Sequence, residues 1–574
     1  MKSVAGSLIY SGFSAKQSIC VASLLVYCIP SMAKDGRPAI PAVDAGRYQE
    51  QQIEQSQREG TSTAETLTSR IPRASDPLLL PVESPCFEID TFEWRHADAF
   101  PWLRREAQLS RGCVGPNGLR AIRDWVTRRL IARGYVTSAA TIPEQDLSAG
   151  RLIVEIVGGR IGAIDDGGGR IGWPAMLFPR HSNDLLNVRD LDQALENIRR
   201  LPGDSATAFD LVPGAALGDT DVIVRHLGSA QRARFIVTVD NSGLEATGRN
   251  QLGAIFAIDS PLYLYDQLVL TYNSDAAFHN ESLGSQAKSA AWNVPIGYAS
   301  VSLGVSEWTS RQTLSGNIPG FVVPPLEQRT RRYNAGLTFV PLRSGHGKTT
   351  LRFQISRRED RSWIGATELD VYRRDIVGYG VGVLHHEKLA NGSVDAGIGM
   401  RGNVTGLSAH PGHVNDQRAW DGRYRIVSAT LGADARFQIG ARRFGYRGTF
   451  RMQRTPGTAP STEFMQIGGR YTVRGFDGNN TLTGANGWTW RNELATDVFG
   501  ATEIYAALDA GQVSGAGASE GAGRDGRTLV GATIGMRGGY KLLGYGVALG
   551  VPVRKPASLK TAAAALDLSM TTRF

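Results

Sequence analysis

The chain has 574 residues, of which 42% are hydrophobic and 68 are glycine, and its formal net charge is +9. No apolar run is long enough to cross a bilayer as a helix, so any membrane-spanning part must be a closed β-barrel. The positive charge would suit nucleic-acid binding, but the arginines follow the strand pattern and form no basic helix or arm. We therefore expect no nucleic-acid partner and place the arginines on a water-filled barrel lumen.

A secretory signal peptide is predicted over residues 1–33. An apolar stretch at 19–29 follows two lysines, and it ends at Ser31, Met32 and Ala33, a small-x-small cleavage pattern. The mature chain should therefore be exported from the cytoplasm.

Four cysteines are present, and two of them, Cys20 and Cys28, lie in the predicted signal peptide. Cys86 and Cys113 remain after cleavage. In an oxidising compartment we expect them to form a disulfide, with two free buried thiols as the alternative.

Residues 34–70 are polar, and they include a short helix-forming stretch, Arg47 to Glu59, that has no apolar stripe to bury. Such a helix suits a wet cavity or bulk solvent. Residues 71–84 are rich in proline, which favours extended and semi-rigid backbone, and we interpret them as a linker.

Two similar α/β units are predicted next, at residues 85–158 and 159–230. The first should contain a strand at Phe87 to Ile89, helices at Phe100 to Leu109 and Gly118 to Arg133, and strands at Tyr135 to Ile142 and Arg151 to Val157. The second should contain a strand at Ile161 to Ile164, helices at Ala175 to Phe178 and Val188 to Leu201, and strands at Thr207 to Val212 and Asp221 to Arg225. Pattern alone also allows two generic soluble α/β domains.

Residues 231–574 alternate with a period of two, which predicts a transmembrane antiparallel β-barrel. In Leu566 to Phe574, for example, apolar side chains share one face and Asp567, Ser569 and Arg573 share the other. The length gives about sixteen strands, enough to enclose an aqueous channel. A large soluble β-sandwich is the alternative.

Three tyrosines early in this region are expected in the aromatic girdles of the membrane interface. They are Tyr263, Tyr265 and Tyr272.

The most specific stretch of the chain is Gly468 to Leu494, GGRYTVRGFDGNNTLTGANGWTWRNEL. Its Val473, Arg474, Gly475 and Phe476, followed by Gly487, Trp488 and the run Trp490 to Leu494, closely resemble the TpsB transporters of two-partner secretion, relatives of the BamA assembly proteins. The resemblance covers the whole mature chain. It implies an N-terminal plug helix, two periplasmic POTRA domains and a sixteen-stranded barrel in the outer membrane of a Gram-negative bacterium.

The resemblance also implies that Arg474 lies on a long extracellular loop folded into the lumen, where an acidic residue of an inward-facing strand holds it. An enclosed guanidinium needs a carboxylate that accepts two hydrogen bonds. Strand parity from Glu503 to Gly511 directs Glu503, Tyr505 and Asp509 to the lumen. The Asp-x-Gly that begins at Asp509 matches the acidic residue of the family, so the resemblance implies an Arg474–Asp509 pair, with Glu493 and Glu503 as alternates. Gly475 should permit the tight turn that aims Arg474. An exposed turn is the alternative interpretation.

No catalytic, metal or cofactor site is predicted. His385 and His386 are adjacent on a strand and point to opposite faces, so they cannot chelate one metal together. Gly347 to Thr349 resembles the end of a phosphate loop but lacks the required earlier glycine, and we interpret it as a hairpin turn. The protein should not be an enzyme.

The function implied is an outer-membrane pore that exports a large partner exoprotein, bound unfolded by the POTRA domains through sheet edges or grooves. We expect a monomer in contact with outer-membrane lipid. The alternatives are a BamA-type insertase, which usually carries five POTRA units, and a passive porin or outer-membrane enzyme.

Overall fold

The computed structural model describes residues 77–574, except for 107–111, 167–171, 205, 228–230, 278–279, 281–282, 314–323, 411–421 and 519–526. The predicted signal peptide and the helix at Arg47 to Glu59 lie outside the described residues. None of the helices in the described ranges combines the length and the apolar character needed to cross a bilayer.

The first α/β unit packs one long helix against a mixed three-stranded sheet. Its elements are β1 (Phe87–Ile89), β2 (Thr91–Arg95), α1 (Leu103–Glu106), β3 (Gly112–Val114), α2 (Pro116–Ala132), β4 (Ala139–Thr141) and β5 (Arg151–Val157). The sheet order is β2-β5-β4, with β2 parallel to β5, and β1 pairs separately with β3. Ile122, Val126 and Leu130 of α2 are fully buried against this sheet, as their helical spacing requires.

The second unit repeats this arrangement. It contains β6 (Arg160–Asp165), a 3₁₀ turn (Pro174–Met176), α3 (Val188–Arg199), a second 3₁₀ turn (Pro202–Asp204), β7 (Ala208–Pro213) and β8 (Asp219–Arg225). Its sheet order is β6-β8-β7, which leaves β7 as an edge strand.

The end of the proline-rich segment is tied to the first unit. Leu78 and Leu80 pack against its core. The Glu83 carboxylate accepts hydrogen bonds from the backbone N–H groups of Gly115 (2.9 Å), Asn117 (2.9 Å) and Gly118 (2.6 Å), at the start of α2. Partial desolvation alone would raise the pKa of Glu83, but these donors outweigh it and hold the pKa below 4.5. Glu83 thus caps a helix that has no local side-chain cap.

The rest of the chain forms a closed antiparallel barrel, and the prediction of about sixteen strands is confirmed: sixteen strands close the ring within the described residues. The barrel strands are β9 (Ala233–Asp240), β10 (Gln251–Asp259), β11 (Gln267–Asp275), β12 (Gly284–Ile296), β13 (Ala299–Gln312), β14 (Leu326–Arg343), β15 (Gly347–Ile364), β17 (Arg374–Leu389), β18 (Gly392–Asn403), β19 (Arg425–Ile439), β20 (Arg442–Arg454), β23 (Asn486–Phe499), β24 (Thr502–Ser514), β25 (Thr528–Tyr540), β26 (Leu543–Arg554) and β27 (Ala565–Arg573). The two-residue β16 (Thr367–Glu368) extends β15, and β21 (Met465–Ile467) pairs with β22 (Leu482–Gly484) in a separate hairpin.

The outward face of the barrel is apolar, in agreement with the alternation in the sequence. Tyr333, Leu337 and Phe339 of β14 and Phe353 and Ile355 of β15 are all exposed. A soluble sandwich would bury such a face, so the apolar band indicates contact with lipid.

Helix α3 docks onto two barrel turns, the one between β12 and β13 and the one between β14 and β15. Asp190 accepts a hydrogen bond from Tyr298 (2.6 Å), and Glu196 binds Arg343 (2.9 Å) and Lys348 (2.7 Å). Burial raises the pKa of Asp190, although the hydrogen bond from Tyr298 opposes the shift. The second α/β unit is therefore held to the barrel by buried polar contacts.

Several predicted elements differ from the structure. Helix α1 begins at Leu103, not Phe100, and its predicted end at Leu109 lies outside the described residues. The predicted strand from Tyr135 is reduced to Ala139–Thr141, and the predicted helix at Ala175 is the 3₁₀ turn Pro174–Met176. The isolated sequence pattern cannot tell a short apolar turn from a helix or a strand.

Two further predictions were wrong. Tyr265 lies in no girdle: it belongs to the turn between β10 and β11 and is fully buried in the core of the second α/β unit. Gly347 to Thr349 is not a turn but the start of β15, and Lys348 points to α3.

Candidate functional site in the barrel lumen

The segment between β20 and β23, residues 455–485, enters the barrel from the end opposite the α/β units. The Val473 to Phe476 motif lies between β21 and β22, the two strands of its hairpin. Val473 is fully buried and Phe476 is nearly so, in an apolar cluster that also contains Ile467, Leu482, Val513, Leu529 and Leu559. This cluster attaches the loop to the inside of the barrel wall.

Arg474 lies at the centre of the loop and contacts Asp509 of β24. Its Nε and Nη2 donate to the two carboxylate oxygens at 2.7 and 2.9 Å, and its backbone N–H donates to Oδ2 at 3.1 Å. Asp509 is fully buried while its neighbour Leu508 is 55% exposed, so the parity of β24 sends the carboxylate inward. The guanidinium and carboxylate form a bidentate pair shielded from bulk water.

The two alternate carboxylates have different partners. Glu493 accepts from Arg474 Nη1 at 2.6 Å and from Arg537 Nη2 at 2.6 Å, so it bridges the two arginines. Glu503 pairs with Arg537 and not with Arg474. The structure therefore brings Arg474, Asp509 and Glu493 together, and it connects Glu503 through Arg537.

Glycines in the wall make room for the motif. A Cβ on Gly531 would lie 1.8 Å from the Arg474 carbonyl oxygen, and one on Gly550 would lie 2.7 Å from the Gly475 Cα. Gly475 itself has a φ of +96° and would meet the Val551 carbonyl at 2.6 Å. The backbone of the motif thus lies directly on β25 and β26, at positions that only glycine allows.

Arg470 links the loop to the junction of the first and last strands. It lies 3.2 Å from Asp567 of β27 and 3.7 Å from Asp240 of β9, and it donates to Asn241 Oδ1 at 3.2 Å. The ladder between these two strands registers five residue pairs, from Asp240 to Ile236 on β9, and backbone hydrogen bonds continue on either side of it, at Phe235 and Asn241. The Arg470 side chain therefore both holds the loop in place and contacts the two strands that close the barrel, β9 and β27.

A polar cavity of about 740 Å³ adjoins the loop inside the barrel. Its lining includes Arg447, Arg451, Arg491 and Arg537 together with Glu493. A second cavity of about 720 Å³ shares Arg447, Glu493 and Arg537 and reaches the turn between β17 and β18. The two cavities therefore adjoin each other along one side of the lumen.

The other predicted residues lie outside the lumen loop. Cys86 and Cys113 form a disulfide with a Cα–Cα distance of 5.4 Å, which ties β1 to β3. His386 points inward to Asp395 (2.9 Å) and His385 outward to Thr349. In the described ranges no three His, Cys, Asp or Glu side chains converge as a metal site.

Sequence reasoning missed Gly531, Gly550 and Arg470. The two glycines lie among many others in the barrel, and only their contact with the loop distinguishes them. Arg470 was visible in the Gly468 to Leu494 stretch, but its partners come from the two ends of the barrel sequence.

Comparisons with known proteins match this architecture. A family model described as haemolysin secretion/activation protein ShlB/FhaC/HecB matches residues 218–538. Models for a ShlB-type POTRA domain and for a POTRA domain match residues 87–159 and 160–211.

Relatives align over most of the chain. Outer membrane transporter CdiB-2 from Burkholderia pseudomallei is 29% identical over 564 residues, covering 93% of this chain and 95% of that protein. Hemolysin transporter protein ShlB from Serratia marcescens is 26% identical over 411 residues, covering 70% of each.

Solved structures share the fold. CdiB from Escherichia coli superimposes with a TM-score of 0.82 at 24% identity, covering 95% of this chain and 100% of that one. CdiB from Acinetobacter baumannii gives 0.81 at 24% identity, with 94% and 100% covered.

Proposed function

This chain belongs to the haemolysin secretion/activation family ShlB/FhaC/HecB, and we propose that it exports one or a few large partner exoproteins from the periplasm to the cell surface by two-partner secretion. Its barrel lies in the outer membrane of a Gram-negative bacterium. The observation that carries the proposal is a lumen loop held by a buried Arg474–Asp509 pair above two POTRA domains.

The POTRA domains capture an unfolded segment of the exoprotein. The edge strand β7 offers unpaired backbone groups, and Leu211 on it is 39% exposed. An extended segment can add to such an edge through main-chain hydrogen bonds. A photocrosslinking residue at Leu211 should capture the exoprotein, whereas the same residue at the exposed Asp124 on α2 should not.

The loop controls the passage. With Arg474 bound to Asp509 and Glu493, the loop is held against one side of the barrel wall inside the lumen, and transport requires this attachment to rearrange while the plug helix predicted near Arg47 to Glu59 leaves. Folding of the exoprotein outside removes extended chain from the pore, and this pulls the equilibrium outward without ATP. The transporter acts as a monomer and performs no catalysis.

Arg474→Ala tests the loop. We expect this variant to reach the outer membrane as a folded barrel, shown by heat-dependent migration in gels, but to secrete much less exoprotein. Arg447→Ala is the matched control, because Arg447 also faces the lumen but pairs with Asp434 on a neighbouring strand. Normal secretion by Arg474→Ala would refute the assigned role of the motif.

Depletion separates the transporter from a BamA-type insertase. Loss of one secreted protein with other outer-membrane proteins unchanged is the result expected here. A general loss of barrels from the outer membrane would support the insertase.

A further inference from the structure

The outward face of β14 and β15 changes abruptly from apolar to charged. On β14 the outward side chains are apolar from Phe339 to Tyr333 and are then replaced by Arg331 and Arg329. On β15 they are apolar from Leu351 to Ile355, and beyond these residues come Arg357, Glu359 and Arg361.

Most of these outward charges neutralise one another. Arg331 pairs with Glu307 (2.5 Å), and Arg357 pairs with Asp375 (2.9 Å) and Glu359 (3.0 Å). Ion pairing is required where charges border the hydrocarbon region, because an isolated charge there is costly.

Arg329 and Arg361 differ from their neighbours. They lie directly opposite each other in the β14–β15 register, both are exposed, and neither has a carboxylate partner in the described part of the chain. Arg329 stacks on Trp363, with 5.5 Å from its Cζ to the ring centroid. Like charges directly opposite each other destabilise a sheet, so a bound anion would relieve this pair.

The height of the pair places it at the lipid headgroups. Arg329 lies ten residues from Phe339 along β14, and Arg361 lies ten residues from Leu351 along β15. Ten residues at about 3.4 Å each, in strands tilted by about 40°, rise about 26 Å along the barrel axis. The ion-paired Arg331 and Arg357 lie between this level and the apolar side chains, so Arg329 and Arg361 lie beyond the apolar stretch, on its headgroup side. Trp363 at the same level is typical of a membrane interface.

We propose that Arg329 and Arg361 form a binding site for the phosphate groups of the phosphorylated glycolipid in the outer leaflet. The arginine fork matches phosphate oxygens in two hydrogen bonds, and two opposed forks can bind one phosphate together. The Arg329 side chain is further oriented by Trp363. The site is independent of export, since it faces lipid and contacts no part of the lumen loop.

Binding of lipid A to the purified full-length protein in detergent tests the site. We expect Arg329→Gln/Arg361→Gln to weaken binding of bisphosphorylated lipid A by about ten-fold or more, because each charge-assisted hydrogen bond is strong. Arg329→Lys/Arg361→Lys should retain part of the affinity. The charge-matched control is Arg442→Gln/Lys541→Gln, which removes two cations at the opposite rim and should leave binding unchanged.

Binding experiments with the unmodified protein test whether the site recognises the phosphate groups of lipid A, the lipid alone or free phosphate. Dephosphorylated lipid A should bind at least about ten-fold more weakly than bisphosphorylated lipid A, and inorganic phosphate at millimolar concentration should not compete. Equal binding of both lipids, or full competition by inorganic phosphate, would overturn the proposal. Unchanged lipid A binding by Arg329→Gln/Arg361→Gln combined with a loss of export would assign the pair to a protein partner instead.

Discussion

Arg474 and Asp509 are joined by three hydrogen bonds, two from the guanidinium and one from the backbone nitrogen of the same residue. A single carboxylate therefore fixes both the side chain and the main chain of the loop tip. The pair is almost fully enclosed, since Arg474 is 8% exposed and Asp509 is not exposed at all. Breaking such a buried pair by removing one partner leaves an uncompensated charge.

Because Arg474 binds Asp509 more extensively than Glu493, we expect loss of the Asp509 carboxylate to destabilise the loop more than loss of the Glu493 carboxylate. Asp509→Asn should destabilise the loop by about 3 kcal/mol, whereas Glu493→Gln should cost about 1 kcal/mol, because Asp509 still holds the fork. Amide hydrogen exchange over residues 468–480 in the full-length protein measures the difference. Equal exchange in the two variants would contradict the dominant role of Asp509.

The glycine contacts predict that a single methyl group can displace the loop. Gly531→Ala should force the Arg474 carbonyl away, since the added Cβ would lie 1.8 Å from it, and the variant should secrete as poorly as Arg474→Ala. Gly539→Ala on the same strand is the control, because its Cβ would meet nothing closer than 3.7 Å. Normal secretion with Gly531→Ala would mean that the loop does not need this wall contact.

Docking of α3 should depend on Arg343 more than on Lys348. The Arg343 side chain is 1% exposed and binds both Glu196 and Gln193, whereas Lys348 is 13% exposed and binds Glu196. Arg343→Met should weaken docking by about 3 kcal/mol, the scale for breaking a buried pair. Hydrogen exchange in Val188–Arg199 should accelerate strongly in this variant and only slightly in Lys348→Met.

The capping of α2 should depend on pH. The pKa of Glu83 is held below 4.5, so its stabilisation of the helix start is present above pH 4.5 and is lost as pH falls through the lowered pKa. Hydrogen exchange at residues 115–118, corrected for the intrinsic pH effect, should therefore rise in that window. Glu83→Gln should show faster exchange already at neutral pH and little further pH dependence, and a pH response equal to that of the original protein would contradict the cap.

Much of the fold was accessible from the sequence because strands in lipid obey a strict period of two. The confirmed sixteen-strand barrel follows from that alternation, and the inward direction of Asp509 follows from its parity with Leu508. Elements as short as Pro174–Met176 were misassigned, since three apolar residues satisfy several periodicities at once.

The sequence by itself determined the barrel and its apolar outer surface, through the alternation of apolar and polar residues, and it determined the family through the motif around Arg474. Only the tertiary structure decided which residues meet across the lumen and between domains: Gly531 under Arg474, Arg470 at the seam of β9 and β27, Tyr265 in the second α/β core, and Arg329 opposite Arg361. The physical reason is that periodicity fixes which side of a strand a residue faces. The register between strands and the path of a long loop fix which residues it meets.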